Sequence, residues 1–316
     1  MTATLPAHWY WDPDVFERER QTIFRREWQV IGAAPDVCVK GDIAGWPVLV
    51  VRQPDGTLRG FHDVCRHRAS TLVCVGGVLQ CPYHGWTYGL DGALKRARDF
   101  GDDDIPDISL HPIAVAEWRG LVFVNLDADA AFDLGTFATE CDGFAMETFR
   151  VVAESSHVLR CNWKTYADNY GEGYHIPFIH PELNRQLDMR SYWVDVHDRW
   201  TRHSAPMHDG SPAAGVWLWR YPNLALNVYA DGMNVERFTP LTPTTTRIDY
   251  TFFFRDGTVD EEAMKLSNDL LAEDAAICET VQRNLEAGIY DTGWLSPNHE
   301  GGLVLLQRLV REALGS

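Results

Sequence analysis

The stretch that most restricts what this chain can become is "CRHRASTLVCVGGVLQCPYHGW", residues 65–86. It carries Cys65-x-His67 and, after the 13 residues 68–80, Cys81-x-x-His84. A single cysteine is ordinarily a small buried hydrophobe. Two cysteines and two histidines gathered in two short loops, the second bent by Pro82 and Gly85, are a metal-ligand pattern. A tetrahedral zinc site usually groups Cys with Cys and His with His. Here each loop supplies one of each. That mixture lets the loops straddle a dinuclear centre, with both thiolates on one iron and both imidazoles on the other, the ligand set of a histidine-containing [2Fe–2S] cluster. A structural zinc bound by the same four residues is the alternative.

The sequence around these loops is β-rich. From about 29 to 126, short runs such as "WPVLVVRQ", "GVLQCPY" and "RGLVFVNL" are punctuated by "PDG", "GG" and "LDG", which are turn signals. Ahead of them, "PDVFERERQTIFRREW", residues 13–28, has helical apolar spacing, with Pro13 suited to a first turn after Asp12. Residues 127–150 read as a connection. Beyond 151 come further strands, among them "GVWLWRYPNLALNVYA" taken as one run. A long helical pattern spans Asp260 to Ala287, with Met264, Leu266, Leu270, Leu271, Ile277 and Val281 as its expected buried face, and "GGLVLLQRLVREAL" closes the chain as a helix. Strands framed by a long C-terminal helix predict an α+β class. The expected parts are a helical segment over 1–28 that packs on the C-terminal domain, an all-β domain over 29–126, the connection, and that C-terminal domain over 151–316.

A cluster-bearing electron carrier needs only about 100 residues, a single domain's worth, and 316 are present. "NWKTYADNYGEGYHIPFIHPEL", residues 162–183, supplies a second site. His175 and His180 are five apart, which on a straight helix puts them on different faces. Pro177 between them distorts the backbone and can bring both imidazoles to one point. Two histidines and one carboxylate make the facial triad of non-haem Fe(II) oxygenases, with coordination positions left open.

Both motifs, in this order, resemble those of the Rieske non-haem iron oxygenase large (alpha, terminal oxygenase) subunits. "CPYHGW" matches the Rieske domain, and "NWK", "DNYGEGYH" and the second histidine match the catalytic-iron stretch. The resemblance runs from "DPDVFERERQTIFRREW" to the final helix. It implies a small all-β Rieske domain and a helix-grip catalytic domain, an antiparallel sheet around a long C-terminal helix. Cys65, His67, Cys81 and His84 would hold the [2Fe–2S] cluster. His175, His180 and, carried over from "LAEDAAICETVQ", Asp274 would hold mononuclear Fe(II), with the adjacent Glu273 as the other candidate. Glu172, where the family commonly has Asp, would join His175 to the cluster ligand His84 of a neighbouring subunit. Asp168, in the same stretch, is a second candidate catalytic carboxylate. Glu in place of Asp is reminiscent of members acting on quaternary ammonium compounds. The implied activity is hydroxylation or oxidative demethylation of a small organic substrate by O2, as a mono- or dioxygenase. Electrons would come from NAD(P)H through a separate reductase or ferredoxin, and the assembly would be a homotrimer. The loop between His67 and Cys81 is shorter than is usual in the family, and its Cys74 reads as a bystander.

The net charge of −17 argues against nucleic acid and anionic membrane surfaces as partners. Seven cysteines, an odd number at irregular spacing, argue against a disulfide framework and for a reducing compartment, so a cytoplasmic location is expected. No secretory leader is seen at the start of the chain. On the strand face of Trp217, Trp219 and Tyr221, with Asn223, Asn227 and Tyr229 following, sheet packing is the plain reading and a pocket wall or cation-stacking surface the other. Arg66 and Arg68, flanking a cluster ligand, are candidates to meet the acidic neighbouring subunit or an electron donor. A non-enzymatic zinc-stabilised protein with a helix-grip ligand-binding domain is the rival account of the whole chain.

Overall fold

A computed structural model describes residues 2–101, 104–208 and 215–315. The chain divides into two compact units: one takes the residues up to Ile23 together with those from Leu134 onward, and the other runs from Phe24 to Asp133.

The first unit opens with β1 (Thr2–Ala3) and α1 (Pro13–Glu19). Asp12 caps α1, its side chain accepting from the amides of Asp14 and Val15, and Pro13 sits in the first turn. The helix predicted to reach residue 28 ends sooner. Arg20–Phe24 widens into a π-turn, after which the chain enters a strand.

The second unit is all β. Its six-stranded sheet contains β2 (Gln29–Ala33), β3 (Cys38–Ile43), β4 (Trp46–Arg52), β5 (Leu58–His62), β10 (Pro112–Trp118) and β11 (Leu121–Asn125), in the order β2-β11-β10-β5-β4-β3. Val48–Val51 of β4 and Leu121–Val124 of β11 are almost fully buried, as their unbroken apolar runs require. A four-stranded sheet, β6 (Val73–Val75), β7 (Val78–Gln80), β8 (Thr87–Tyr88) and β9 (Leu94–Arg96), carries the cysteine and histidine loops. Gly76 and Gly77, at φ +57° and +78°, form the two-residue turn between β6 and β7 that L side chains rarely tolerate.

The first unit resumes with β12 (Phe149–Leu159), α2 (Trp163–Tyr170), α3 (Ile176–Ile179) and α4 (Pro181–Gln186). Then follow β13 (Trp193–Val196), β14 (Trp200–Ser204), β15 (Gly215–Arg220), β16 (Leu224–Tyr229), β17 (Gly232–Thr242) and β18 (Thr245–Arg255). With β12 these make one antiparallel seven-stranded sheet, ordered β12-β18-β17-β16-β15-β14-β13. The run "VWLWRYPNLALNVY" is thus a hairpin and not one strand. Pro222, after a cis peptide, lies in the turn and removes a donor that a continuous strand would need.

Helix α5 (Glu261–Glu286) follows, capped by Asp260 and with Glu261 and Glu262 in its first turn, where the helix dipole favours negative charge. Its buried residues are Leu271, Cys278, Gln282 and Leu285, one helical stripe. The expected Val281 lies off that stripe, 41% exposed. After β19 (Trp294–Leu295), which pairs with β1, α6 (Gly301–Leu314) ends at Gly315 in the left-handed conformation. Residues from the two sequence segments of this unit meet in its core. Lys164 of α2 and Glu19 of α1, both 0% exposed, pair at 2.6 Å, and Trp163 Nε1 donates to the same carboxylate at 2.9 Å. No described helix is long and apolar enough to cross a membrane.

Candidate active site and cluster-binding loops

The two Cys/His loops are built alike. In the first, the Cys65 amide donates to the Ser70 carbonyl and the Ala69 amide donates to the Cys65 carbonyl. In the second, Cys81 donates to Trp86 and Gly85 donates to Cys81. The fourth residue after each cysteine takes positive φ, +57° at Ala69 and +75° at Gly85, which turns the chain back on itself. Each knuckle buries its sulfur, both cysteines being 2% exposed, and leaves its histidine nearer the surface.

Neighbouring side chains hold these loops in place. Buried Asp63 accepts from the Leu72 amide at 2.7 Å and pairs with Lys40 at 2.8 Å. The Tyr88 hydroxyl accepts from the Arg66 amide and lies 3.2 Å from Cys65 Sγ, so its proton is free to point at the sulfur. The Trp86 ring stacks on His67 and the Tyr83 ring on His84, and the two imidazoles are 4.7 Å apart. His84 Nδ1 is buried and without a hydrogen-bond partner. Burial first, then the charges of His67, Arg68 and Arg98, push this imidazole toward the neutral form that a metal ligand requires. Two buried thiols beneath two facing imidazoles, one with an orphaned nitrogen, fit a [2Fe–2S] cluster with two histidine ligands. Arg66 donates to the Ser109 carbonyl and Arg68 lies over the Tyr83 ring.

Cys74 is not a bystander. It is joined to Cys38, 36 residues earlier, tying β3 to the strand that follows the first loop. Spacing alone does not reveal such a pair, because sheet pairing brings the two positions together.

In the other unit, helix α2 is capped by Asn162 and ends at Gly171. The turn that follows is fixed by close approach. A Cβ on Gly302, at the start of α6, would lie 2.1 Å from the Gly171 carbonyl oxygen, so only glycine fits there. Glu172 then accepts from the amides of Tyr174 and His175, and its other oxygen meets His175 Nδ1 at 2.6 Å. His175 starts the four-residue helix α3, with Pro177 in its first turn, and His180 ends it. The expected convergence occurs: His175 Nε2 and His180 Nε2 are 3.1 Å apart.

Asp274, from the middle of α5, brings Oδ1 to 3.0 Å from His180 Nε2 and 3.6 Å from His175 Nε2, and the three ligand atoms lie within 4.8 Å of one another. Asn169, a residue the sequence reading did not single out, donates to Asp274 Oδ1 at 2.7 Å. Glu273 faces the outer side of the site, with Oε2 2.7 Å from His180 Nδ1.

Each imidazole is therefore backed by a carboxylate on Nδ1. That places its proton on Nδ1 and turns the Nε2 lone pair inward. Two lone pairs and a carboxylate oxygen converging on one point repel each other unless a cation lies between them, so the set fits a divalent metal with open positions. Asp168 does not line the cavity at this point. Its carboxylate accepts from the Tyr10 hydroxyl at 2.6 Å and from Gln307 at 3.0 Å, and burial pushes it up to about 6.

The metal point opens into a cavity of about 1120 Å³. One wall is a lateral row across the sheet: His203, Trp217, Asn227 and Asn234 are successive cross-strand neighbours on β14 to β17. The next row, Thr201, Trp219, Ala225, Glu236 and Tyr250, contributes Glu236 and Tyr250 to the cavity. The aromatic face thus divides. Trp217 and Tyr229 line the cavity, joined by a 2.8 Å hydrogen bond, whereas Trp219 and Tyr221 are 1% exposed in the core. Asn223 is also buried, donating to the Phe238 carbonyl.

Glu236 accepts from Tyr166 at 2.5 Å and from Tyr250. Burial, assisted by the charge of Asp274, pushes its carboxyl up to about 8 against those two donors. His203, held by Tyr192 at 2.6 Å and Thr201 at 3.1 Å, is pushed down to about 4 by burial and by His175, and so is neutral.

Residues 27–107 match the Rieske [2Fe-2S] domain family, and residues 146–316 match the family described as the ring hydroxylating alpha subunit (catalytic domain). The chain is 30% identical to the chloroplastic choline monooxygenase of Beta vulgaris, over 94% of this chain and 74% of that one. It is 29% identical to the carnitine monooxygenase oxygenase subunit of Escherichia coli K12, over 91% and 85%. The crystal structure of a quaternary ammonium Rieske monooxygenase in complex with L-carnitine superposes with a TM-score of 0.87 at 28% identity, covering 99% of this chain and 96% of that one. Naphthalene 1,2-dioxygenase, at 18% identity and a TM-score of 0.80, shares the fold. These matches set aside the zinc-stabilised binding protein. The chain belongs to the Rieske non-haem iron oxygenases, and as the oxygenase component it oxidises a small organic molecule with O2 and with electrons drawn from a separate reductase.

Proposed function

We propose that the substrate is a quaternary ammonium compound, oxidised beside the carboxylate-backed His175–His180–Asp274 set. The observation that carries the reading is the convergence of those three ligand atoms at the end of a cavity walled by Trp217 and Tyr229, whose ring faces attract an onium group. The names of the relatives point the same way. Mononuclear iron at this point, when bound, supplies the activation of O2.

The rest is the work of the chain's own residues. Glu172 and Glu273 orient the two imidazoles, and Asn169 orients Asp274. Trp217, Tyr229, Tyr170 and Tyr192 exclude water and seat the substrate. Cys65, Cys81, His67 and His84 would hold the cluster, two thiolates and two imidazoles, and so supply its electron-carrying centre. Glu172 accepts from His175 and would accept from His84 of a neighbouring copy in a head-to-tail homotrimer, a heterologous contact that closes as a ring. Such a carboxylate offers a short hydrogen-bonded route between the two metal sites. Asp168, buried against Tyr10 and Gln307, positions α2, the helix that leads into the turn bearing Glu172. The electron donor is a reductase or ferredoxin, and the setting is the cytoplasm.

The test is a substrate screen on the holoenzyme with a competent donor, scoring O2 uptake and formaldehyde together. Quaternary ammonium compounds should stimulate O2 uptake and aromatic acids should not. Formaldehyde release would mark demethylation, and its absence with uptake would mark oxidation elsewhere on the chain of the substrate. Uptake driven by aromatic acids alone would overturn the reading.

A further inference from the structure

The charges around the cavity are one-sided. Its lining includes eight carboxylate residues: Glu172 and Asp274 at the histidines, Glu236 in the wall, and five exposed ones between Asp231 and Glu262 at the rim. Among the described residues it includes one guanidinium, Arg255, and no lysine. Arg255 is already engaged: Nε pairs with Asp231 at 3.0 Å, Nη1 meets Thr148, and Nη2 donates to the Ala230 carbonyl. The histidine in the wall, His203, is neutral and hydrogen-bonded at both nitrogens. Away from the metal point, a substrate carboxylate would find no free side-chain cation among the described lining residues, and burying an unpaired charge is costly.

Glu236 differs from the other seven acids. Glu172 and Asp274 are committed to the histidines, and the five at the rim face solvent. Glu236 is 2% exposed, lies on the cavity wall, and among the described residues is held by Tyr166 and Tyr250 with no basic partner. The groups that face it are the hydroxyls of Tyr166 from α2 and Tyr250 from β18, with Asp274 of α5 and Tyr170 of α2 acting at longer range. A buried carboxyl held by two phenols and pushed up to about 8 for want of a cation, in a wall shared with Trp217 and Tyr229, is a group that a cation brought beside it would ionise.

We infer that Glu236 is the counter-charge of the substrate's onium group, and that the site takes a quaternary or protonated tertiary ammonium whose other end is uncharged, a choline-like cation in preference to a carboxylated betaine. The inference rests on the quaternary ammonium reading above and narrows it. Tyr166 and Tyr250 hold the carboxylate in place, and the aromatic wall contacts the methyl groups. The acidic rim raises the local concentration of cations and lowers that of anions.

The experiment is equilibrium binding to the oxidised holoenzyme by calorimetry, with three probes: choline, its neutral carbon isostere 3,3-dimethylbutan-1-ol, and carnitine. The wild type should bind choline about 30-fold or more tightly than either of the others, the loss typical of removing one partner from a buried charge pair. Glu236→Gln should bring choline to within about threefold of the neutral isostere, while the visible spectrum of the cluster and the content of mononuclear iron stay unchanged. Tyr166→Phe, which keeps the carboxylate, should retain the preference for the cation.

A Glu236→Gln enzyme with the wild-type preference overturns the inference and leaves the quaternary ammonium reading standing. So does a wild type that binds carnitine, or the neutral isostere, as tightly as choline, and that measurement decides the matter even if the variant does not fold. A wild type that binds none of the three, and takes up no O2 with any onium compound, overturns the broader reading and this inference with it.

Discussion

At the scale of single residues, the candidate metal ligands were legible because ligand chemistry demands short, fixed spacings. Cys65, His67, Cys81, His84, His175 and His180 sit where loop geometry alone could bring them together. Asp274 needed the family resemblance, since an isolated acidic pair on a helix says nothing of what it faces. Glu236, His203 and Asn169 were not legible. They reach the cavity through sheet register and helix packing, which no local pattern encodes.

The pair Glu273–Asp274 resolves into two roles. Asp274 points at both Nε2 atoms and Glu273 backs His180 Nδ1 from the outside. Glu273→Ala should therefore weaken binding of the mononuclear iron about tenfold, read by chelator competition, with the cluster's colour intact. Glu273→Gln, whose amide oxygen can still accept from Nδ1, should restore most of that affinity. An alanine variant that holds iron as the wild type does would show that Glu273 is only a surface acid.

At the scale of elements, periodicity located the long helix α5 and the closing helix α6, while hairpin connectivity was harder to see. The signal for the β15–β16 turn was present in "YPN", but the aromatic alternation on either side masked it. The pairing of neighbouring strands also creates electrostatic features that no single strand reveals. On β18, Asp249 lies opposite Arg237 in register and also meets Arg247 and Ser156. Burial alone would raise its carboxyl, yet the charge and hydrogen bond of Arg237, with Ser156 and Arg247, hold it below the usual range.

A carboxylate lowered by folding stabilises the native state above its unfolded value, and that contribution is lost as pH falls through the folded one. Asp249→Asn should thus cost about 1 kcal/mol at pH 7, a fall of about 2–4 °C in Tm. The gap between variant and wild type should close as the pH is lowered below the ordinary carboxylate range. Thermal melts at pH 7 and in acid check both parts, and a gap that persists in acid would assign the loss to packing.

At the scale of the whole molecule, the α+β class and the order of the two metal motifs could be read from the sequence, because β-rich texture gives way to strands framed by helices. The Cys38–Cys74 link could not, since it depends on the pairing of distant strands. The proposed trimer places the two halves of one electron path on different copies. Glu172→Ala and His84→Ala should each abolish turnover alone. Co-expressed, they should recover about a quarter of the wild-type activity, the chance that a head-to-tail contact in a randomly mixed ring joins an intact cluster to an intact Glu172. No recovery in mixed rings would place the path within one chain.

The buried pair of Glu19 and Lys164 carries a consequence for how the molecule is made. A ribosome releases the partners of that pair 145 positions apart, with the whole β unit emerging between them. The intervening module can close and seal its thiols while the carboxylate from the opening helix still waits in water. Only when the later segments arrive can that early charge be drawn inside.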